Sequence, residues 1–251
     1  MTDLIMDTAT EKTLRSVNPA AFRPTSDMEL SEEYLTRRFE RPTRRTGEVV
    51  YELTSDAGYL HQYYRLREEM FINVWGLKQF SGHEDVFDAK SDIMIARIGN
   101  HCIGGCRLTF ANPAKKLGLP MEKEDFTIGG HVKLPLKDVT YVEISRMAIL
   151  PEFQNSLVML ELSRQLLKRG AEKKARYAFT LAPVPLSRNY RKAASLFGLK
   201  WNIRYDIAVP DREEYEGIKM VLSVLDLAPT YRNKNQQPLM DINSDVTLIA
   251  G

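Results

Sequence analysis

Cysteine is nearly missing from this chain: two residues, Cys102 and Cys106, in 251. Two thiols exclude a disulfide framework, and they are too few for a thiolate metal site. They stand four apart in a run that reads as one strand, so alternation places them on the same face. A disulfide between them is then geometrically unfavourable, and buried free thiols in a reducing compartment are expected. The four histidines, His61, His83, His101 and His131, have no ligand spacing, so no metal is expected. A long apolar run is also missing: nothing reaches the roughly 18 residues of a membrane span. Residues 1–13 lack the apolar core of a signal peptide, and a cytoplasmic protein is expected. Charge of one sign is lacking too. Thirty-five Lys and Arg oppose 33 Asp and Glu, a net +2 that gives no general attraction to nucleic acid or membrane.

The hydrophobic fraction, 43%, is enough for a real core, and the length suits one large domain with extensions. Residues 1–45 read as a weakly ordered lead-in ending in five arginines between Arg37 and Arg45. That run reads as a solvated linker, with phosphate or an acidic partner as the alternative. The domain proper spans 46–228, and a polar tail follows from Pro229.

Within the domain, Gly47 to Thr54 reads as a strand, and Ser55 or Asp56 caps a helix running toward Val74. Ser91–Ile98 and His101–Phe110 read as a hairpin about Gly99-Asn100. A long Pro-, Gly- and Lys-containing loop follows over 111–137; loops of that length are usually functional or mobile. Next come a strand over Val139–Leu150, a helix over Leu157–Lys174, a strand over Tyr177–Leu181, a helix over Pro185–Phe197 stopped by Gly198, and a strand over Trp201–Val209. Asp211–Leu225 reads as a helix, with a strand over Val221–Leu227 as the alternative. The order predicts an α/β fold: a mixed, mostly antiparallel sheet with helices on both faces.

The strand Tyr141-Val142-Glu143-Ile144-Ser145-Arg146-Met147-Ala148-Ile149 holds a carboxylate and a guanidinium three positions apart among apolar residues. Such charges are costly unless paired or used. Burial between Val142 and Ile144 should raise the pKa of Glu143 toward that of a general base. Alternation puts Glu143 and Ser145 on one face and Arg146 on the other, so both serve one site only if the strand bulges or splays. Upstream stand Arg67 and Phe71, one helical turn apart, the acidic box Glu84-Asp85-Val86-Phe87-Asp88, and Gly105-Cys106-Arg107-Leu108.

These four elements, in this order, resemble the acyl-homoserine-lactone synthases and the long-chain N-acyl amino acid synthases, and the element order is similar to the GNAT acyltransferase fold. The resemblance covers roughly residues 50–200. It implies that Glu143 of the Glu-x-Ser-Arg motif is the base, that Arg146 holds the donor side, and that Ser145 lies in the acyl pocket. It implies a strand splayed to admit the donor's pantetheine arm. Arg67 and Phe71 would lie on a helix closing over the site. Asp85, Asp88 and Arg107 would form an electrostatic cluster shaping the acceptor pocket. The family's Trp position is Leu77 here, and Trp75 stands near it. Ile149 and the turn Gln154-Asn155-Ser156 fall where the fold binds the donor's phosphates, at a helix N-terminus. That turn lacks the Gly-x-Gly/Ala spacing of acyl-CoA acyltransferases, which leaves room for an acyl carrier protein as well as CoA.

The expected activity is therefore transfer of a fatty acyl group from a thioester to an amine, giving an N-acyl amino acid. The alternatives are a lactone synthase using S-adenosylmethionine, or a non-catalytic acyl- or carrier-binding module. An acidic carrier protein would dock on Lys168, Arg169, Lys173 and Lys174 at the basic end of the helix, unless these cations only serve the helix C-terminus. No cofactor bound covalently and no nucleic acid are expected.

Overall fold

Seven strands form one sheet in the order β1-β2-β3-β4-β5-β7-β6 in a computed structural model that describes residues 47–228, apart from 124, 155, 156, 196, 197 and 216. The strands are β1 (Val49–Leu53), β2 (Ser91–Ile98), β3 (His101–Ala111), β4 (Tyr141–Ile149), β5 (Tyr177–Pro183), β6 (Trp201–Arg204) and β7 (Met220–Asp226). The helices are α1 (Ala57–Glu68), a short α2 (Ile128–His131), α3 (Val158–Glu172) and α4 (Val184–Ser195). All neighbouring strands run antiparallel except β4 and β5. The mixed, mostly antiparallel sheet expected from the sequence is what forms. The extensions 1–45 and 229–251 lie outside the described residues.

The Asp56 carboxylate starts α1 by accepting from the Tyr59 N–H at 2.9 Å. From Glu69 to Val74 the helix widens into a π-helix, a form that recurs at functional sites. On this face of the sheet Tyr63, Leu66, Met70 and Phe71 pack on Ile93, Ile95, Cys102 and Ala148. The same face carries a second cluster further along, where Leu119, Met121, Phe126, Ile128 and Leu136 cover Tyr141, Phe179 and Leu222. So the long 111–137 segment is a packed cap over the sheet. Its apolar residues have no helical or strand period, which is why it reads as a loop. The opposite face is covered by α3 and α4 over Met94, Leu108, Val142, Ile144 and Leu225.

Two expectations need correction. Asp211–Leu225 is not a helix: a 3-10 turn at Glu213–Tyr215 precedes β7, which inserts between β5 and β6. Gly217, with φ +78°, ends any helix there, and Val221 and Val224 favour the strand. Nor do Cys102 and Cys106 share a face. Ala96 pairs with Gly104 but Arg97 with Cys102, so β3 carries one extra residue. Cys102 then packs under α1 and Cys106 against the opposite core, both as free thiols.

A second bulge shapes β4. Arg107 pairs with Ser145 but Gly105 with Ala148, so β4 spends one more residue than β3 over this stretch. Arg146 sits there in the left-handed region at φ +58°. Before it, Tyr141 faces the cap; after it, Ala148 is the residue facing α1. The Tyr63 hydroxyl donates to the Arg146 carbonyl at 2.7 Å and holds the bulge from above. This contact requires the glycine at 105, because a Cβ there would lie 2.5 Å from the Tyr63 ring. Gly105→Ala is expected to destabilise the protein by about 1–3 kcal/mol through this overpacking, read as a lower urea midpoint at unchanged m-value.

Candidate active site

Beyond Glu143 the sheet opens. Strand β4 pairs with β5 only over Tyr141–Glu143, and among the described residues the stretch from Ile144 to Ile149 has no strand partner on that side. A cavity of about 340 Å³ fills the opening. It lies on the face between the α1 cluster and the cap, and passes through the opening to Leu186 and Tyr190 of α4. The strand connection 205–219 crosses the same region, with Ile207 and Val209 against the cap cluster and Tyr215 and Ile218 against the α1 cluster.

Glu143, Ser145, Arg146, Asp85, Arg107, Phe71 and Trp75 all line this cavity. Glu143 is 4% exposed, and one carboxylate oxygen accepts from the Met121 N–H at 2.8 Å. Burial pushes its pKa up to about 7, against the pull of the Met121 amide, Arg107, Arg146 and Ser145. Desolvation wins because the nearby guanidiniums are already engaged with other carboxylates. Arg107 donates to Asp85 at 2.7 and 2.8 Å and to Asp88 at 3.1 Å. Its Nε donates to the Ser145 hydroxyl at 3.2 Å, so that hydroxyl is tied to the ion cluster.

Arg146 reaches the site through the bulge. It lies 3.6 Å from Asp85 and 3.4 Å from Glu214, and donates to the Tyr215 hydroxyl at 3.3 Å. Its guanidinium sits over the Phe80 ring at 4.6 Å, a favourable cation–π geometry. Its Nε is buried and has no hydrogen-bond partner among the described residues. Burial raises the Asp85 pKa and Arg107 lowers it, the net result being a carboxyl held below its ordinary value.

Arg67 and Asp88 are buried behind the cavity wall. Arg67 makes a bidentate pair with Asp88 at 3.0–3.1 Å and donates to the carbonyls of Gly82 and His83. Asp88 in turn accepts from the Asp85 N–H at 2.8 Å. The pair thus shapes the 82–88 segment that presents Asp85. Phe71 stacks on Phe80 at 4.2 Å between ring centres and meets Trp75 at 4.7 Å.

Ile149 is buried in the α3 and α4 core, and the Gln154 side chain donates to its carbonyl at 3.3 Å. Neither lines the cavity, and Asn155 and Ser156 lie outside the described residues. On α3, Arg169 is held by Asp92 at 2.6 Å and by Glu172 at 3.6 Å, whereas Lys173 and Lys174 are exposed. Among the described residues no cluster of three His, Cys, Asp or Glu is placed to hold a metal ion, and no helix is long and apolar enough to cross a membrane. Sequence reasoning missed Met121, Phe80, Arg212, Glu214 and Tyr215. Their only signal was apolar or charged residues within segments that have no clear period.

Residues 66–164 match the family described as acetyltransferase (GNAT) domain. The span runs from α1 into α3 and contains the bulged strand and the buried carboxylate. The chain is similar in structure to the N-acyl amino acid synthase FeeM from uncultured soil microbes, at TM-score 0.52 and 12% identity, over 72% of this chain and 92% of that one. Residues 47–228 form a single GNAT-like domain. Its similarity to the AHL synthase LasI has a TM-score of 0.50 at 17% identity, covering 72% of this chain and 91% of that one. No curated protein matches the chain in sequence. At these identities the structural likeness speaks for the GNAT fold, and the chemistry has to be argued from the site.

Two outcomes test the electrostatics. Asp88→Ala leaves Arg67 buried without its carboxylate and is expected to cost about 3–5 kcal/mol. Asp85→Ala, at a half-buried position, should cost clearly less; urea unfolding of both compares them. Glu143 has a folded pKa of about 7 against an ordinary 4.5. The native state therefore binds more protons across that window, and stability falls as pH rises through it. Wild type should lose about 2 kcal/mol from this group between pH 5 and 8. Glu143→Gln should lack that loss, so its stability advantage grows toward pH 8.

Proposed function

We propose that this protein is an N-acyltransferase that moves a fatty acyl group from a thioester of acyl carrier protein or CoA to the amine of an amino acid. The observation that carries this reading is Glu143: a buried carboxylate of pKa about 7, at the point where β4 parts from β5, on the wall of a cavity that crosses the sheet.

In this reading the acyl thioester enters between β4 and α4, where Met147, Leu186 and Tyr190 offer an apolar wall. The unpaired edge of β4 supplies backbone groups for the donor arm. The acceptor occupies the polar side, near Glu143 and Arg146. Its nitrogen attacks the thioester carbonyl carbon, the C–S bond breaks, and the sulfur leaves as a thiolate. Glu143 takes the proton that the nitrogen sheds as the amide forms. Arg146 is the cation beside the developing oxyanion, with one N–H, Nε, that has no partner among the described residues. Ser145 and Asp85 position Arg107 and Arg146 rather than react. Phe71 and Trp75 close the rim. A carrier protein would use the basic end of α3, where Lys173 and Lys174 make no ion pair among the described residues; Arg169 contributes less because Asp92 and Glu172 hold it.

The test is mass spectrometry of lipid extracts from bacteria expressing wild type and Glu143→Gln. An acylated amino acid found only with wild type is the expected result, and it identifies the acceptor. An acyl homoserine lactone would assign the site to lactone synthesis from S-adenosylmethionine. No new amide, with soluble protein and retained acyl binding, would mean a fold kept for binding alone. With the purified enzyme, kcat/KM should rise with pH to a plateau with an apparent pKa of about 7. Glu143→Gln should lower it by roughly 10²–10⁴-fold.

A further inference from the structure

Four Arg or Lys side chains line the cavity among the described residues: Arg107, Arg146, Arg212 and Lys123. Three are committed to carboxylates. Arg107 holds Asp85 and Asp88, Arg146 lies between Asp85 and Glu214, and Arg212 pairs with Asp125 at 2.8 Å. Lys123 is exposed and, among the described residues, forms no ion pair within 4 Å, though its charge helps to lower the pKa of Asp125. It also lines the adjoining polar chamber, whose other walls include Asp211, Glu213 and Glu214.

The turn that carries Lys123 is fixed at several points. Glu122 accepts from the N–H groups of Leu119 and Ile128, both at 2.9 Å. Lys123 and Phe126 exchange backbone bonds at 2.9 and 3.1 Å. Arg212 grips Asp125 and donates to the Met121 carbonyl at 3.4 Å. Met121 in turn donates to Glu143. The turn that presents Lys123 thus also holds the base on β4 through Met121, and Met121 and Lys123 are two positions apart, at most about 7 Å of extended chain.

We propose that Lys123 is the anchor for the acceptor's carboxylate, setting an α-amino acid with its amine toward Glu143. The inference rests on the acyl-transfer reading above and adds to it the group that reads the acceptor. An amino acid carries its carboxylate one carbon from its amine, so its two polar ends need a cation on the same cavity as the base, and Lys123 lines the cavity that Glu143 lines. Asp211, Glu213 and Glu214 oppose a carboxylate elsewhere in the chamber, which fixes one orientation by repulsion as well as attraction. Arg107 cannot serve as easily, since it is 1% exposed and its Nε and Nη1 already hold Ser145, Asp85 and Asp88.

The experiment compares wild type, Lys123→Ala and Lys123→Arg on the twenty standard L-amino acids and their carboxamides, with a decanoyl thioester of CoA and, in parallel, of acyl carrier protein. For the best acceptor, wild type should prefer the free acid over the carboxamide by roughly 10–100-fold in kcat/KM. Lys123→Ala should raise the KM for the free acid by a similar factor at unchanged kcat and leave the carboxamide untouched, and Lys123→Arg should restore most of the preference. Equal use of acid and carboxamide by wild type, or an unchanged KM in Lys123→Ala, overturns the assignment while acyl transfer stands. Failure of wild type to acylate any of these amines from either donor overturns both readings.

Discussion

The site depends on one backbone irregularity, the bulge that places Arg146 at positive φ in the middle of β4. A regular strand would send Glu143 and Ser145 to one face and Arg146 to the other. The extra residue breaks that alternation, so that all three border one cavity. A left-handed conformation costs a non-glycine residue on the order of 1–3 kcal/mol and persists only where the surroundings fix it. Here they do: the Tyr63 hydroxyl holds the Arg146 carbonyl, Gly105 makes room for the Tyr63 ring, and the Cys106 thiol donates to the Ser145 carbonyl at 3.1 Å. The bulge comes three positions after Glu143, the last residue of β4 that pairs with β5. One local distortion thus accompanies both the gathering of the polar groups and the opening of the sheet.

The charges around this opening form a graded chain. Arg67 and Asp88 are fully buried and satisfy each other, Arg107 and Asp85 come next, and Arg146 with Glu214 stands at the rim. Burying such a chain adds little net stability, because desolvation offsets much of the attraction. Its effect is positional: it fixes the 82–88 segment on the sheet and fixes Arg107 beside Ser145. It also explains the state of Glu143. Each guanidinium close enough to lower that carboxyl's pKa is already drawn toward another carboxylate. Burial therefore prevails, and the group stays near neutrality instead of becoming a permanent anion.

Much of this could be read from the residues alone. Glu143 and Arg146 are conspicuous as charges in an apolar strand, and their incompatibility with simple alternation called for a bulge or splay. The cluster of Asp85, Asp88 and Arg107 was implied by the family resemblance rather than by the residues themselves. The cap and the 205–219 crossing were not legible, because they are held by distant contacts. Met121 meets Glu143 across 22 positions, and Arg212 meets Asp125 across 87. Neither segment has a period that would announce a packed element. The cysteines were misplaced for a related reason: the extra residue in β3 is set by its register with β2, a property of two strands that neither states by itself.

The position of the cap ties fold to chemistry more closely than the motif residues do. Glu143 is buried because Met121 and its neighbours cover it, and it keeps a single orientation because the Met121 amide holds one oxygen. A more open cap would admit water, return the carboxyl toward its ordinary pKa and remove its value as a base near neutral pH. Arg212, from the other side of the opening, keeps the cap in place through Asp125 and the Met121 carbonyl. The reactivity assigned to Glu143 is therefore a product of three chain segments far apart in sequence, β4, the cap and the connection to β7. The motif on β4 supplies the carboxylate, and the other two supply the environment that makes it useful.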